Sequence, residues 1–438
     1  MKQKTQGNNY LSRAVLFTLA VSVAGLAAPL QAQNVTASAS PSASPDGKAV
    51  KDAKKAVEEK KPEPRLKFYG WLEGGITGNP RSPIDNHNFG HLFTDRANEP
   101  LLNQASIVAE RALDPNATGF DWGFKAWFMY GSDARYAQPL GPLNLVTNER
   151  VQPAFIEAYA SLHLPVLTSG GLDLKLGQYA DPMSAETIDP RTNVFYSHSY
   201  IFNFGVPTTD LGVLAVQHVN KYLDIYAGIN RGVNTSIYDN NDSVAFEGGI
   251  GLNLLDGNLT TVALTHIGPE NPNNNHDWRY LNDITTTWKI NKCLTSITDL
   301  NLIYDSLPGA GYGYGFAQYF TYQLTDWLIA GLRSEVWRDD NGFWVAQFRA
   351  NNDFLHLLNG DVPAPDPSTR SGGRTTYFET TFGVTIKPNV PKPLQGLLIR
   401  PEVRYDRALT DTTPFSGSNA IGNKRDQITL GLDVILEF

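Results

Sequence analysis

Charged residues alternate with apolar residues in three segments near the end of this 438-residue chain. In "LLIRPEVRYD", ionic side chains take every second position, and mostly apolar side chains lie between them. This spacing places the ionic groups on one face of a β-strand. Burying such groups is costly unless they are paired or hydrated. The ionic positions of the three segments are Arg333, Glu335, Glu379, Arg400, Glu402, Arg404 and Asp406.

These ionic groups act electrostatically, and the sequence allows two roles for them. In the first, they form cross-strand ion pairs that stiffen a wall. In the second, they line a water-filled passage and act on the ions or solutes that cross it. The two roles are compatible, because a hydrated lumen supplies the water that ionic groups require.

A long segment, residues 181–209, carries a second set of charges. In a ring of sixteen strands it would lie almost opposite the strands that hold Arg333, Arg400 and Arg404. We therefore hypothesise that it folds inward, creates a transverse field and narrows the passage. The alternative is a loop packed outside the ring or over its mouth. The charged residues of this segment include Asp181, Glu186, Asp189 and Arg191.

The elements that must position these residues are strands of about ten residues. "FDWGFKAWFMY" is apolar at every second position from Phe120 to Tyr130. "AFIEAYASLHL" predicts one apolar stripe from Ala154 to Leu164. About sixteen such segments follow one another in 66–438, and fourteen to eighteen strands would fit. The pattern predicts an all-β, antiparallel transmembrane β-barrel.

The connections between these segments alternate between short and long. "NK", "DGN" and "TD" are tight turns, whereas 181–209, 231–244, 268–280 and 339–374 are predicted to be long loops. Only 306–311 is short where a long loop is expected. Tight turns on one side and long loops on the other are typical of outer-membrane barrels.

The last strand, "ITLGLDVILEF", is apolar at alternate positions up to the final residue, Phe438. In lipid every backbone group must be bonded internally, so the sheet must close on itself. We expect this strand to pair with the first one, near "LKFYGWLEGG". A terminal phenylalanine on an apolar strand also resembles the signal that the barrel-assembly machinery recognises in outer-membrane proteins.

The N-terminal part of the chain predicts export. Residues 1–32 combine a basic start, an apolar stretch and a small-residue cleavage site, as a signal peptide does. Residues 33–65 are rich in Ala, Ser, Pro and Lys and predict a disordered periplasmic spacer. This spacer could contact the cell wall, although a plain solvated linker is the simpler interpretation. Residues 66–438 form the predicted barrel, located in the bacterial outer membrane.

Composition excludes several protein classes. Residues 66–438 hold 26 basic and 39 acidic residues, whereas binding to nucleic acid requires a basic surface. No apolar run is long enough for a spanning helix, and the single Cys293 cannot form an internal disulfide. The acidic excess favours a weak preference for cations. We expect most of the following aromatic residues to lie in interfacial girdles: Phe68, Tyr69, Trp71, Trp127, Phe128, Tyr312 and Tyr314.

Three stretches carry a resemblance to a known family. They are "GQYADPMSAETIDPRTNVFYSHSY", "YFTYQLTDWLIAGLRSEVWRDDNG" and the terminal strand. Together they resemble the OmpL-like porins, the second β-barrel porin family of bacterial outer membranes, over roughly 66–438. The resemblance implies a water-filled channel for passive diffusion of small hydrophilic solutes or ions. It leaves the solute, the pore radius and the oligomeric state open, and homo-oligomers remain an option.

Two other functions are alternatives to a porin. A plugged barrel could tether the outer membrane to the cell wall through 33–65. A barrel hydrolase is less favoured, because the sequence contains no convincing nucleophile with a base and an orienting group. We therefore expect no enzymatic activity, no cofactor and no metal. His87 and His91 are interpreted as part of a solvated loop rather than as metal ligands.

Overall fold

The computed structural model describes residues 65–141, 143, 150–345 and 373–438. The predicted signal peptide and nearly all of the predicted spacer lie outside these residues. No helix in the described part of the chain has the length and apolar character needed to cross a membrane.

Sixteen antiparallel strands form one closed barrel, in which each strand pairs with its neighbours in sequence. The predicted fold class and strand number are thus confirmed. The strands are β1 (Leu66–Gly78), β2 (Pro100–Arg111), β3 (Asp121–Gly131), β4 (Gln152–Leu164), β5 (Leu172–Ala180), β6 (Thr209–Asn220), β7 (Leu223–Asn230), β8 (Ala245–Leu254), β9 (Leu259–Asn271), β10 (Asn274–Lys289), β11 (Leu294–Asp305), β12 (Gly311–Thr325), β13 (Leu328–Asp339), β14 (Thr375–Ile386), β15 (Gly396–Ala408) and β16 (Asp426–Glu437).

The barrel closes between its first and last strands. β16 pairs antiparallel with β1 from Trp71 opposite Glu437 to Gly78 opposite Leu430. Beyond the strand end, Phe438 and Gly70 exchange two backbone hydrogen bonds of 2.9 and 3.0 Å. The predicted pairing is confirmed, and it leaves no open sheet edge at the seam.

The two faces of the strands differ in chemistry. Along β16, Ile428, Leu430, Leu432 and Val434 point outward and are 40–52 % exposed, whereas Asp433 is buried inside. The same alternation puts Phe68, Trp122, Tyr314 and other large aromatic residues on the outer surface. Apolar residues therefore face lipid along every second position, as a transmembrane barrel requires.

Three of the predicted girdle residues, Tyr69, Trp71 and Trp127, point into the barrel, and Tyr69 packs against the core and against Arg191. Trp71 and Trp127 are 1 % and 2 % exposed, and their rings pack against each other with centroids 5.2 Å apart. The indole nitrogens of these residues donate to Gln104 and Ser106 on β2. The girdle interpretation was wrong for all three residues, because their strand parity points to the lumen.

A β-bulge divides the apolar stripe that was predicted along β4. The register shifts where Trp127 pairs with Glu157 and Phe128 pairs with Phe155, which leaves Ile156 as an extra residue. As a result, Ala154 and Ile156 are fully buried, whereas Phe155 is 45 % exposed. The prediction of one continuous lipid-facing stripe was wrong. Period-2 spacing assumes an unbroken strand, and the extra residue Ile156 reverses which positions face lipid.

The connections confirm most of the predicted alternation. One correction concerns 268–280, which was predicted to be a long loop. Instead, β9 and β10 extend to Asn271 and Asn274 and meet in a tight turn. On the same side of the barrel, short helices α1 (Ala134–Ala137) and α2 (Tyr200–Phe204) lie within longer connections.

The seam yields a testable prediction. A Cβ atom at Gly70 would lie 2.4 Å from the Ser106 carbonyl oxygen and 2.8 Å from the Phe438 ring. Gly70→Val should therefore lower the yield of folded barrel, because overpacking costs about 1–3 kcal/mol. The matched control is Gly119→Val, since nothing lies within 4 Å of a Cβ atom at that position. Heat-modifiable gel migration after refolding measures the folded fraction, and equal yields for the two variants would contradict the prediction.

Candidate functional site

The connection between β5 and β6, residues 181–208, lies inside the barrel, and we call it the inward loop. Its apolar residues Met183, Ile188, Phe195 and Ile201 are buried, and they belong to the same core as side chains of the barrel wall. The backbone therefore has to find hydrogen-bond partners within the lumen, because buried polar groups are costly when unpaired.

Arg333 joins the wall to the inward loop. This fully buried side chain on β13 donates to Glu379 of β14 at 2.6 Å. It also donates to Glu186 and to the Ser197 carbonyl oxygen of the loop, both at 2.7 Å. The guanidinium thus satisfies two carboxylates and a backbone carbonyl at once, which its fork of donors allows.

Arg400 and Arg404 on β15 repeat this arrangement. Arg400 donates to Asp433 of β16 at 3.0 Å and to the carbonyl oxygens of Pro190 and Asn193 at 2.7 and 3.0 Å. Arg404 donates to Asp406 at 2.7 Å and to the carbonyl oxygen of His198. Each buried arginine therefore has a carboxylate on the wall and a carbonyl on the inward loop.

Wall carboxylates complement these arginines by accepting backbone N–H groups of the same loop. Glu335 accepts from the amides of Tyr200 and Ile201 at 2.7 and 2.8 Å. Glu402 accepts from those of Tyr196 and Ser197 at 2.9 and 3.1 Å. In the alternating pattern seen in the sequence, the arginines thus bind carbonyl groups of the inward loop and the glutamates bind its N–H groups.

Two neighbouring strands, β10 and β11, hold the beginning of the loop. Asp283 on β10 accepts from the Ser184 amide at 3.0 Å. Asp299 on β11 accepts from the Ala185 amide at 2.9 Å. The inward loop therefore crosses the lumen and is bonded to β10 and β11 near its start and to β13 and β15 further along.

The four predicted charged residues of the loop have different surroundings. Only Glu186 contacts one of the three arginines. Asp189 pairs with Arg191 at 2.6 Å, and the Arg191 guanidinium lies 4.0 Å from the Trp71 ring centroid. Asp181 lies next to two wall acids, Asp210 and Glu247. The contacts of the loop with the three arginines are made mainly by its backbone carbonyls, at Pro190, Asn193, Ser197 and His198.

Glu186 is ionised in this environment. Burial opposes its charge, but the Arg333 guanidinium and the His198 imidazole outweigh burial and lower the pKa of Glu186 to about 2. His198 Nδ1 lies 2.8 Å from the Glu186 carboxylate, and Tyr319 donates to it at 2.9 Å. Glu186 is therefore the main side-chain anchor of the inward loop.

The connection between β1 and β2, residues 79–99, also packs inside the barrel through Phe89, Leu92 and Phe93. His91 is 3 % exposed, and its Nε2 atom lies 3.0 Å from Asp406. The expectation of a solvated loop was wrong for this histidine, because the segment covers the end of β15. Two neighbouring carboxylates were missed in the sequence: Asp433, and Glu73, which lies 3.4 Å from Arg400. Their strand parity could have identified them.

An open cavity of about 470 Å³ lies at the barrel end where β1 begins and β16 ends. Asp189 and Arg191 of the inward loop and Glu437 of β16 line it. The tip of the loop therefore reaches the end of the barrel that, by the position of the short turns, faces the periplasm.

The family model "Putative beta-barrel porin-2, OmpL-like" matches residues 65–438, which is the whole barrel. The chain belongs to this family. It is an outer-membrane porin, located in the bacterial outer membrane. A search of curated proteins finds no significant match to the sequence.

Solved outer-membrane porins share the fold at low sequence identity. Pseudomonas putida OprB is 11 % identical, with a TM-score of 0.51, and the match covers 85 % of this chain and 94 % of OprB. The anion-selective porin from Comamonas acidovorans is 8 % identical, with a TM-score of 0.50, and the match covers 85 % of this chain and 99 % of that porin. The trimer form of Vibrio cholerae OmpT is 10 % identical, with a TM-score of 0.50, and the match covers 85 % of this chain and 99 % of OmpT.

If Glu186 anchors the loop, the stability difference between the wild type and Glu186→Gln should depend on pH. Glu186→Gln should destabilise the barrel at pH 7, because removing one partner of a buried ion pair costs about 3–5 kcal/mol. The carboxylate has a lowered pKa, so its contribution is complete above the ordinary value of 4.5 and is lost as the pH falls towards 2. Thermal unfolding of wild type and variant between pH 7 and pH 2 measures the difference.

The control for this prediction is Asp189→Asn, in the same loop. Its carboxylate pairs with Arg191 and is about one-fifth exposed, so its loss should cost no more than about 1 kcal/mol. Equal effects of the two variants, or a Glu186→Gln effect that is unchanged at pH 2, would contradict the role of Glu186 as the anchor.

Proposed function

We propose that this porin conducts small hydrophilic solutes and ions past a constriction formed by the inward loop, with a weak preference for cations. The observation that carries the proposal is the loop itself, which crosses the lumen and is bonded to β10 and β11 on one side and, through the Ile188 carbonyl oxygen, to Gln104 of β2 on the opposite side. A loop held in this way narrows the passage that the ring of strands encloses.

The charges in the lumen support the preference for cations. The three wall arginines are each paired with a buried carboxylate, namely Glu379, Asp433 or Asp406. Their positive charges are thus largely compensated. By contrast, Asp210 and Glu247 on the opposite wall have no lysine or arginine within 4 Å among the described residues. The remaining field in the lumen should therefore be negative and favour cations.

The pore-lining role assigned to the charged wall residues is part of this proposal. Because these groups bond the loop directly, or through Arg333 in the case of Glu379, we propose that they act on permeation by fixing the position of the loop, and less by direct contact with ions. The residues are Arg333, Glu335, Glu379, Arg400, Glu402, Arg404 and Asp406.

A plugged barrel that tethers the membrane is the second candidate. It is favoured by the same packing, since both 79–99 and 181–208 bury apolar side chains within the lumen. In that case the conductance should be absent. Deleting 33–65 should then weaken contact with the cell wall.

We further propose that the barrel has no enzymatic activity and associates with itself in the membrane, as the trimer form of OmpT does. Outer-membrane lipid, small solutes and the barrel-assembly machinery are its other proposed partners, the last through Phe438.

Planar-bilayer recording of the refolded chain tests the proposed function. We expect stepwise ohmic openings and a reversal potential in a KCl gradient whose sign shows that K⁺ is more permeant than Cl⁻. A folded barrel without conductance would favour the plugged anchor. Open channels that prefer Cl⁻ would show that the acidic lumen does not control ion passage.

Removing a loop anchor should change the conductance. Glu402→Ala leaves the amides of Tyr196 and Ser197 without their acceptor, so the inward loop should loosen and the single-channel current should rise or fluctuate. The matched control is Glu110→Ala on β2, whose carboxylate accepts from Tyr69 and makes no hydrogen bond to the loop that the structure shows. An unchanged current in Glu402→Ala, or an equal change in both variants, would contradict the proposed constriction.

A further inference from the structure

Three carboxylates meet where the inward loop leaves the wall. Asp181 follows β5, Asp210 lies on β6 and Glu247 lies on β8. One oxygen of each lies within 4.8 Å of the others. Opposite ligands of a Ca²⁺ ion are separated by about 4.8 Å, since Ca–O distances are about 2.3–2.6 Å. The three groups are therefore spaced as ligands of one cation would be.

The unpaired oxygens in this cluster point to a missing ligand. Asp210 is 0 % exposed, and neither of its carboxylate oxygens has a hydrogen-bond partner. One oxygen of Asp181 and one of Glu247 are unpartnered as well. A buried carboxylate without a donor is costly, so four such oxygens at one place require either protons or a cation.

The neighbouring groups use only the remaining oxygens. The Met183 amide donates to Asp181 at 2.7 Å, and the Tyr179 hydroxyl donates to Glu247 at 3.2 Å. The nearest imidazole, His266, has its Nε2 atom 3.9 Å from Asp210 but 3.1 Å from the Asn230 side-chain oxygen. Its donor is thus directed to the asparagine, and the acids are left without a counter-charge at contact distance.

We propose that Asp181, Asp210 and Glu247 bind a divalent cation of the oxygen-preferring class, with Ca²⁺ as the best fit. Carboxylate oxygens are the ligands that this class prefers, and water completes the coordination. The cation links the start of the inward loop to β6 and β8, and its two positive charges leave one of the three carboxylate charges uncompensated, so this wall stays acidic. The site adds a third attachment point for the loop, and its existence does not depend on conduction.

Calcium binding to the refolded, detergent-solubilised full-length chain tests this site. Refolding from denaturant removes lipopolysaccharide, which binds divalent cations itself. We expect isothermal titration calorimetry to show one Ca²⁺ per chain, and Ca²⁺ to raise the unfolding temperature relative to EDTA. In Asp210→Asn, and in the second variant Glu247→Gln, the affinity should fall roughly tenfold or more.

The control is Asp224→Asn on β7, a partly exposed carboxylate that lies 2.7 Å from His218. It should bind Ca²⁺ like the wild type. Both ligand variants remove a buried charge, so in EDTA they should be at least as stable as the wild type and lose only the stabilisation by Ca²⁺. Absence of binding in the wild type, or equal binding in all variants, would overturn the proposal, and protonated carboxylates would then explain the cluster. The bilayer recordings decide the proposed function separately.

Discussion

A buried guanidinium inside a barrel needs carboxylates and carbonyls around it, and this requirement organises the lumen. Arg333, Arg400 and Arg404 each take a carboxylate from the wall. Each arginine also donates to a backbone carbonyl of the inward loop. Since an unpaired buried charge would cost several kcal/mol, the loop and the wall stabilise each other. The position of the loop follows from the position of the arginines.

The outer surface obeys a different constraint, because lipid offers no hydrogen bonds to the backbone. Closure between β1 and β16 satisfies that constraint at the seam, where Phe438 and Gly70 bond to each other. The two constraints meet in β16. Its outward residues are apolar, and its inward Asp433 bonds Arg400. One strand therefore serves both the membrane and the lumen through its alternation.

The sequence predicted the parts of this structure that depend on strand periodicity. The inward position of Arg400 and Glu402 follows from period-2 spacing alone, and so does the outward position of Val403. The bulge at Ile156 and the extended β9–β10 hairpin were not predicted, because they depend on register between strands. Trp71 was misplaced because aromatic content was given more weight than strand parity.

The candidate site was only partly predictable for a related reason. That 181–209 is long and charged is visible in the sequence, but its contacts are made largely by backbone groups, which carry no residue-specific signal. Glu186 contacts Arg333, whereas Asp181 belongs to a cluster with Asp210 and Glu247. Those two acids lie on other strands, so only the three-dimensional structure brings them together.

The central claim is that the wall carboxylates hold the inward loop inside the barrel. Hydrogen–deuterium exchange of the peptide that spans 194–204 tests it most directly. The amides of Tyr196, Ser197, Tyr200 and Ile201 are bonded to Glu402 and Glu335, so they should exchange far more slowly than those of an open loop. Rapid exchange of this peptide in the folded barrel would show that the loop is not bound there and would contradict the account.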